Sequence, residues 1–150
     1  MEEILYSETY RIQGSDFTRG GEAAAAVKAI LKDLGVPPEA IRRLSIANFE
    51  AEMNVIMYAD HGELKLEVLP DAVRVVVADR GQGIPDIELA MQEGWSTATP
   101  EMRQRGFGAG LGLPNIRKNS DQFQIQSTPG VGTTLRYAVF LNRKHDPVAS

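Results

Sequence analysis

The chain has 150 residues, of which 43% are hydrophobic and 24% charged, the make-up of one globular domain with a single buried core. A net charge of -4 excludes the basic footprint of a general nucleic-acid binder, and the lack of any cysteine excludes disulfides, thiolate metal sites and a cysteine nucleophile. The start, Met1-Glu2-Glu3, is acidic, and no apolar run approaches the roughly 20 residues that span a bilayer, so a cytoplasmic location with neither membrane nor nucleic-acid partners is expected.

Residues 5–13 alternate loosely and carry Tyr6, Thr9, Tyr10 and Ile12, which predicts an opening strand. Gly14-Ser15-Asp16 makes a turn containing two residue types that cap helices. Residues 17–34 are rich in alanine, with Ala23, Ala26, Val27, Ile30, Leu31 and Leu34 near helical spacing, and predict a first helix that ends at Gly35. Pro38, tolerated in a first turn, launches a second helix over residues 39–59, in which Met53 and Met57 read as core. Leu64, Leu66 and Val68 alternate with Lys65 and Glu67, the pattern of a half-buried strand. Residues 73–78 form a more continuous apolar run and predict a central strand.

From Gly81 to Gly112 the chain holds seven glycines and two prolines, with a short helical piece near residues 86–92. So long a connection in a compact domain points to function. A helix over residues 114–121 follows, and strands over 123–127 and 133–141 flank the turn Thr128-Pro129-Gly130. The order β-α-α-β-β-loop-α-β-β does not alternate strictly. It predicts an α+β two-layer sandwich: a mixed, mostly antiparallel sheet of about five strands with helices on one face.

Three stretches carry chemistry. Glu50 and Asn54, four apart on the second helix, project from one face. The amide oxygen suits the oxygen shell of Mg²⁺, and the carboxylate can orient or deprotonate a hydroxyl. Glu52, between them, reads as a surface charge. Asp79 ends the apolar run Val75-Val76-Val77-Ala78, where its carboxylate can accept from an exocyclic amine such as that of adenine. Gly81 and Gly83 beside it, followed by Ile84, would let the backbone pass close to a flat base. The third stretch is Gly106-Phe107-Gly108-Ala109-Gly110-Leu111-Gly112-Leu113, which leads straight into a helix. Alternate glycines expose successive backbone N–H groups suited to a phosphate chain. No Gly-Lys-Ser/Thr follows, so this is not a P-loop. Arg103 and Arg105 precede it, and guanidinium pairs well with phosphate oxygens. Trp95 reads as packing, and His61 and His145 lack ligand spacing for a metal.

Taken together and in this order, the stretches resemble the ATPase/kinase superfamily shared by gyrase, histidine-kinase catalytic domains, mismatch-repair proteins and bacterial anti-sigma serine kinases. Glu50-Ala51-Glu52-Met53-Asn54 looks like that family's N box, Asp79-Arg80-Gly81-Gln82-Gly83 its first glycine box, and Gly108-Ala109-Gly110-Leu111-Gly112-Leu113 its second. Gly130-Val131-Gly132-Thr133-Thr134 looks like the closing motif whose threonine, here Thr133, helps hold the adenine. Within the superfamily, Ile84-Pro85-Asp86-Ile87, followed by Gly94-Trp95-Ser96-Thr97 and Gly108-Ala109-Gly110-Leu111-Gly112-Leu113-Pro114, most resembles the anti-sigma and stress-signalling switch serine kinases.

The resemblance implies the Bergerat-type ATP-binding fold and an ATP–Mg²⁺ pocket between helices and sheet beneath a lid. It implies that Glu50 is catalytic and orients a serine hydroxyl on a small anti-sigma-factor-antagonist-type partner, and that Asn54 ligates Mg²⁺. Asp79 would take the adenine amine, with Gly81, Gly83, Ile84 and Thr133 around the base. Gly108, Ala109, Gly110, Leu111, Gly112 and Leu113, together with an arginine such as Arg105, would steady the phosphates. A sigma factor and a second copy of the chain are further expected partners. Two alternatives stay open at this point: a non-catalytic nucleotide-dependent module that sequesters a partner, and the catalytic half of a histidine kinase.

Overall fold

The structure, a computed structural model, describes residues 3–92 and 112–141. Five strands form one sheet in the order β1-β2-β3-β5-β4: β1 is Tyr6–Gln13, β2 Ala59–Val68, β3 Ala72–Gly81, β4 Gln122–Thr128 and β5 Gly132–Phe140. Every pairing among these strands is antiparallel, so the expected sheet is present without the mixed component. Alternation sorts the side chains onto two faces. Leu64 and Leu66 of β2, Val73, Val75 and Val77 of β3, and Leu135, Tyr137 and Val139 of β5 are buried under the helices. The opposite face is polar, and there Glu67 and Arg74, direct partners across β2 and β3, pair at 2.8 Å.

The helical layer consists of α1 (Glu22–Asp33), α2 (Pro38–Tyr58), the short α3 (Ile87–Ala90) and α4 (Gly112–Lys118). α2 is the spine of this layer. It packs against α1 on one side, α4 on the other and the sheet beneath, which is why Leu44, Ala47, Ala51, Met53, Val55 and Ile56 are all buried on it. Arg43 of α2 makes a two-pronged pair with Asp121, at 3.2 and 3.3 Å, and Asp121 also accepts the Phe140 N–H at 2.7 Å. One carboxylate thus fastens the central helix to the β4–β5 edge of the sheet.

Three local features depart from the sequence expectations. The first predicted helix is split: a 3₁₀ turn, Phe17–Arg19, is followed by Gly20 and Gly21 before α1 begins at Glu22. β2 starts at Ala59 rather than near residue 64, since His61, Gly62 and Glu63 take ladder positions between β1 and β3 and Ala59 pairs with Gly81, the register shifting at Asp60 between them. Ladder bonds satisfy these polar residues' backbone, which outweighs their weak strand propensity. Most consequentially, Glu52 is no surface charge. It is 3% exposed, and its carboxylate accepts the backbone N–H groups of Gly21 at 3.1 Å, Ala23 at 3.1 Å and Ala24 at 2.9 Å. The first turn of α1 has no side-chain cap of its own. A carboxylate from α2 supplies it, satisfying N–H groups that every helix start leaves open.

Candidate functional site

α2 holds Glu50 and Asn54 one turn apart, both half-buried. The Glu50 carboxylate accepts a hydrogen bond from the side-chain amide of Asn115 on α4 at 3.2 Å. Gly112, the first residue of α4, lies so close that a side chain there would begin 3.5 Å from Glu50 Oε1. The end of the second glycine box and the acid of the N box are therefore neighbours.

Asp79 sits near the end of β3, opposite Gly62 of β2. A side chain at position 62 would crowd both Val55 Cγ1 at 3.0 Å and Asp79 Cβ at 3.1 Å. The absence of one lets α2, at the residue next to Asn54, close down beside Asp79. The Asp79 carboxylate accepts the Thr133 backbone N–H at 3.0 Å on Oδ1, and its other oxygen takes no donor from the described residues. Burial pushes this carboxyl above the usual range, while the Thr133 N–H and the nearby His61 pull it partly back.

The loop after β3 is zipped to the turn before β5. Gly81 donates its N–H to the Val131 carbonyl at 3.0 Å, and Gly130 donates to Gln82 at 2.8 Å. Gly83 has φ +75°, and a side chain on it would collide with the Thr128 carbonyl; one on Gly132 would collide with the Asp79 carbonyl. At Gly81 the crowding comes from Ala59 and the Tyr58 carbonyl. What these glycines admit, among the described residues, is neighbouring protein backbone. Ile84 packs on the core and donates its N–H to Ser127 Oγ at 2.7 Å. Leu113 is buried in the same core.

The structure thus brings Glu50 and Asn54 of α2, Asp79 of β3, Thr133 of β5, Gly81, Gly83 and Ile84 of the intervening loop, and Gly112 of α4 to one end of the helix-covered sheet face. Arg105, Gly108, Ala109, Gly110 and Leu111 lie outside the described residues, as do Arg103 and Trp95. Two residues of the constellation have no counterpart in the sequence reading. Asn115 left no signal, because an amide three residues into a helix is ordinary. Ser127 left one: it shares parity with Phe123 and Ile125, whose side chains face the core, so a polar group at that position needs an inward partner. Among the described residues no cluster of three His, Cys, Asp or Glu side chains could hold a metal by itself, and no helix is long and apolar enough to cross a membrane.

The sequence signature described as the histidine kinase-like ATPase domain matches residues 15–138. RsbT of Bacillus subtilis (strain 168), named as a serine/threonine-protein kinase, is 31% identical over 111 residues, which make up 71% of this chain and 77% of that protein. The anti-sigma F factor of Caldanaerobacter subterraneus subsp. tengcongensis is 30% identical over 126 residues, covering 81% of this chain and 85% of its own length. A chain in the crystal structure of the SiaB-SiaC complex from Pseudomonas aeruginosa superposes with a TM-score of 0.63 over 92% of this chain and 90% of its own, at 14% identity, a likeness of fold alone. The matched signature takes in Glu50, Asn54, Asp79, both glycine boxes and Thr133, and the chain belongs to the family of histidine kinase-like ATPase domains.

Proposed function

We propose that this protein is an ATP-dependent serine-protein kinase of the anti-sigma regulatory type, acting on a small anti-sigma-factor-antagonist-type partner. The observation that carries the reading is the meeting of the α2 acid and amide with Asp79 and the end of the second glycine box at one end of the sheet. The residues fit a nucleotide. Asp79 offers a carboxylate oxygen not engaged by the described residues, half-buried beside glycine-lined backbone, which suits the amine of adenine. Asn54 offers an amide oxygen to a magnesium ion that keeps most of its waters. When bound, ATP with magnesium supplies the transferable phosphoryl group and much of the charge neutralisation.

Within that frame each residue has a task. Glu50 accepts the proton of the partner's serine hydroxyl and aims its oxygen, with Asn115 holding the carboxylate in place. Ile84 and Thr133 border the base. Gly108, Ala109, Gly110, Leu111, Gly112 and Leu113, with Arg105, embrace the phosphates. The relatives named as a serine/threonine-protein kinase and as anti-sigma F factors support this substrate class, and the latter support a sigma factor as a second partner that is bound and sequestered. Action in the cytoplasm and as a homodimer belong to the same reading.

Incubation with radiolabelled ATP and an antagonist-type partner is expected to move the γ-phosphoryl group to a serine of that partner. Glu50→Gln lowers the transfer rate by at least about 100-fold while ATP binding persists. Tight ATP binding with no transfer to any antagonist-type protein overturns the kinase reading and leaves a nucleotide-dependent binding module.

A further inference from the structure

The hydroxyl of Ser127 stands where three pieces of chain meet. It accepts the Ile84 N–H at 2.7 Å, lies 2.8 Å from the Thr133 hydroxyl, and donates to the Gly132 carbonyl at 3.2 Å. Thr133 in turn gives its backbone N–H to Asp79. Ser127 therefore ties the loop after β3 to the two residues of β5 that back Asp79.

Counting protons assigns the direction of each bond. A serine hydroxyl has one proton and two lone pairs. The Ile84 N–H occupies one lone pair. The Gly132 carbonyl has no proton to give, so the serine proton goes there. All three contacts are then made only if the Thr133 hydroxyl directs its own proton to the second lone pair of Ser127. In that state the Thr133 oxygen has lone pairs alone to present elsewhere, and the second oxygen of Asp79 is an acceptor as well. Among the described residues, the end of the site nearest Asp79 offers two acceptors and no hydroxyl donor.

We propose that Ser127 is a positioning residue for base specificity. By committing the Thr133 proton inward it makes the site read a donor, the 6-amino group of a purine, and reject a 6-keto group, whose oxygen would face two acceptors. The inference rests on the reading of Asp79 as the base-binding carboxylate and adds to it a residue that touches no nucleotide.

The test compares ATP with inosine triphosphate, which carries a keto oxygen at that position, by calorimetry with magnesium. Wild type prefers ATP. Ser127→Ala frees the Thr133 hydroxyl to turn and donate, so the ATP-over-ITP ratio drops by about tenfold, while Ser127→Thr retains it. Thr133→Val, which leaves the Ile84 and Gly132 contacts of Ser127 in place, lowers the ratio too, and adding Ser127→Ala to it changes nothing more. A folded Ser127→Ala protein, judged by an unchanged melting temperature, that keeps the full ratio overturns the proposal. Should Ser127→Ala unfold, an undiminished ratio in Thr133→Val overturns it equally. A wild type that binds neither nucleotide overturns the base-site reading itself, whereas ATP binding with an unaltered ratio in the variants removes only the role of Ser127.

Discussion

Asp79 carries two opposed demands. Its ionised carboxylate is what an adenine amine needs, yet burial raises its pKa, with the Thr133 N–H and His61 offsetting only part of the rise. A carboxyl whose folded-state pKa exceeds the unfolded value stabilises the fold below the unfolded pKa, and that contribution is lost as pH rises through the folded one. At neutral pH the charge is therefore a cost to the nucleotide-free protein. Asp79→Asn keeps an oxygen for the Thr133 N–H and removes the charge. It is expected to be at least as stable as wild type at pH 7 without nucleotide, with the difference fading below about pH 4, and to bind adenine nucleotides more weakly. Urea unfolding across that range, alongside calorimetry with ATP, checks both signs; a variant less stable at pH 7 would show that the carboxylate is net stabilising. Tyr137 and Asn48 show the same logic in the core. The phenol donates to the Asn48 amide oxygen at 2.6 Å, and burial holds the tyrosine well above its ordinary pKa, so it stays neutral there.

At the scale of elements, Glu52 decides how α1 sits on α2. Gly21 at the helix start offers no side chain, and the three N–H groups that α1 leaves open converge on one carboxylate from the neighbouring helix. Removing it strands buried donors, so Glu52→Ala is expected to destabilise the protein by about 2–4 kcal/mol, and Glu52→Gln, which keeps one acceptor, by less. Urea unfolding gives the size, and hydrogen exchange gives the place: the Ala23 and Ala24 amides lose protection ahead of those of β3. Uniform loss across the sheet would mean that Glu52 supports the whole core rather than the start of α1. The helix pattern around Glu52 was plain in the sequence, but a Glu flanked by Glu50 and Asn54 looks like part of a polar face. Only the position of α1 turns it inward. Asn115 carries no local signal for the same reason, since its partner Glu50 is 65 residues away in the chain.

For the whole molecule, the proposed site is distributed over α2, β3, β5, α4 and the connections between them, so its occupation is linked to global stability. A ligand bound only by the folded state at 100 times its dissociation constant adds about 2.7 kcal/mol. For a chain of this size that raises the melting temperature by roughly 5–10 °C. ATP with magnesium is expected to produce such a shift in wild type and a smaller one in Asp79→Asn, read by thermal unfolding; no shift for wild type at any attainable ATP concentration overturns nucleotide binding.

The sequence by itself determined the element order, the split of the chain into a helical and a sheet layer, and the stretches proposed to form the site. These follow from local periodicity, from glycine placement and from the spacing of Glu50 and Asn54, all of which act over a few residues. Tertiary structure alone decided that every strand pairing described is antiparallel, that β2 reaches back through His61 to Ala59 with a register shift between them, that Glu52 is a buried cap, and that Ser127 joins Ile84 to Thr133. Each depends on contacts between residues far apart in the chain. Burial and hydrogen-bond satisfaction there are properties of the packed molecule, with no local pattern to announce them.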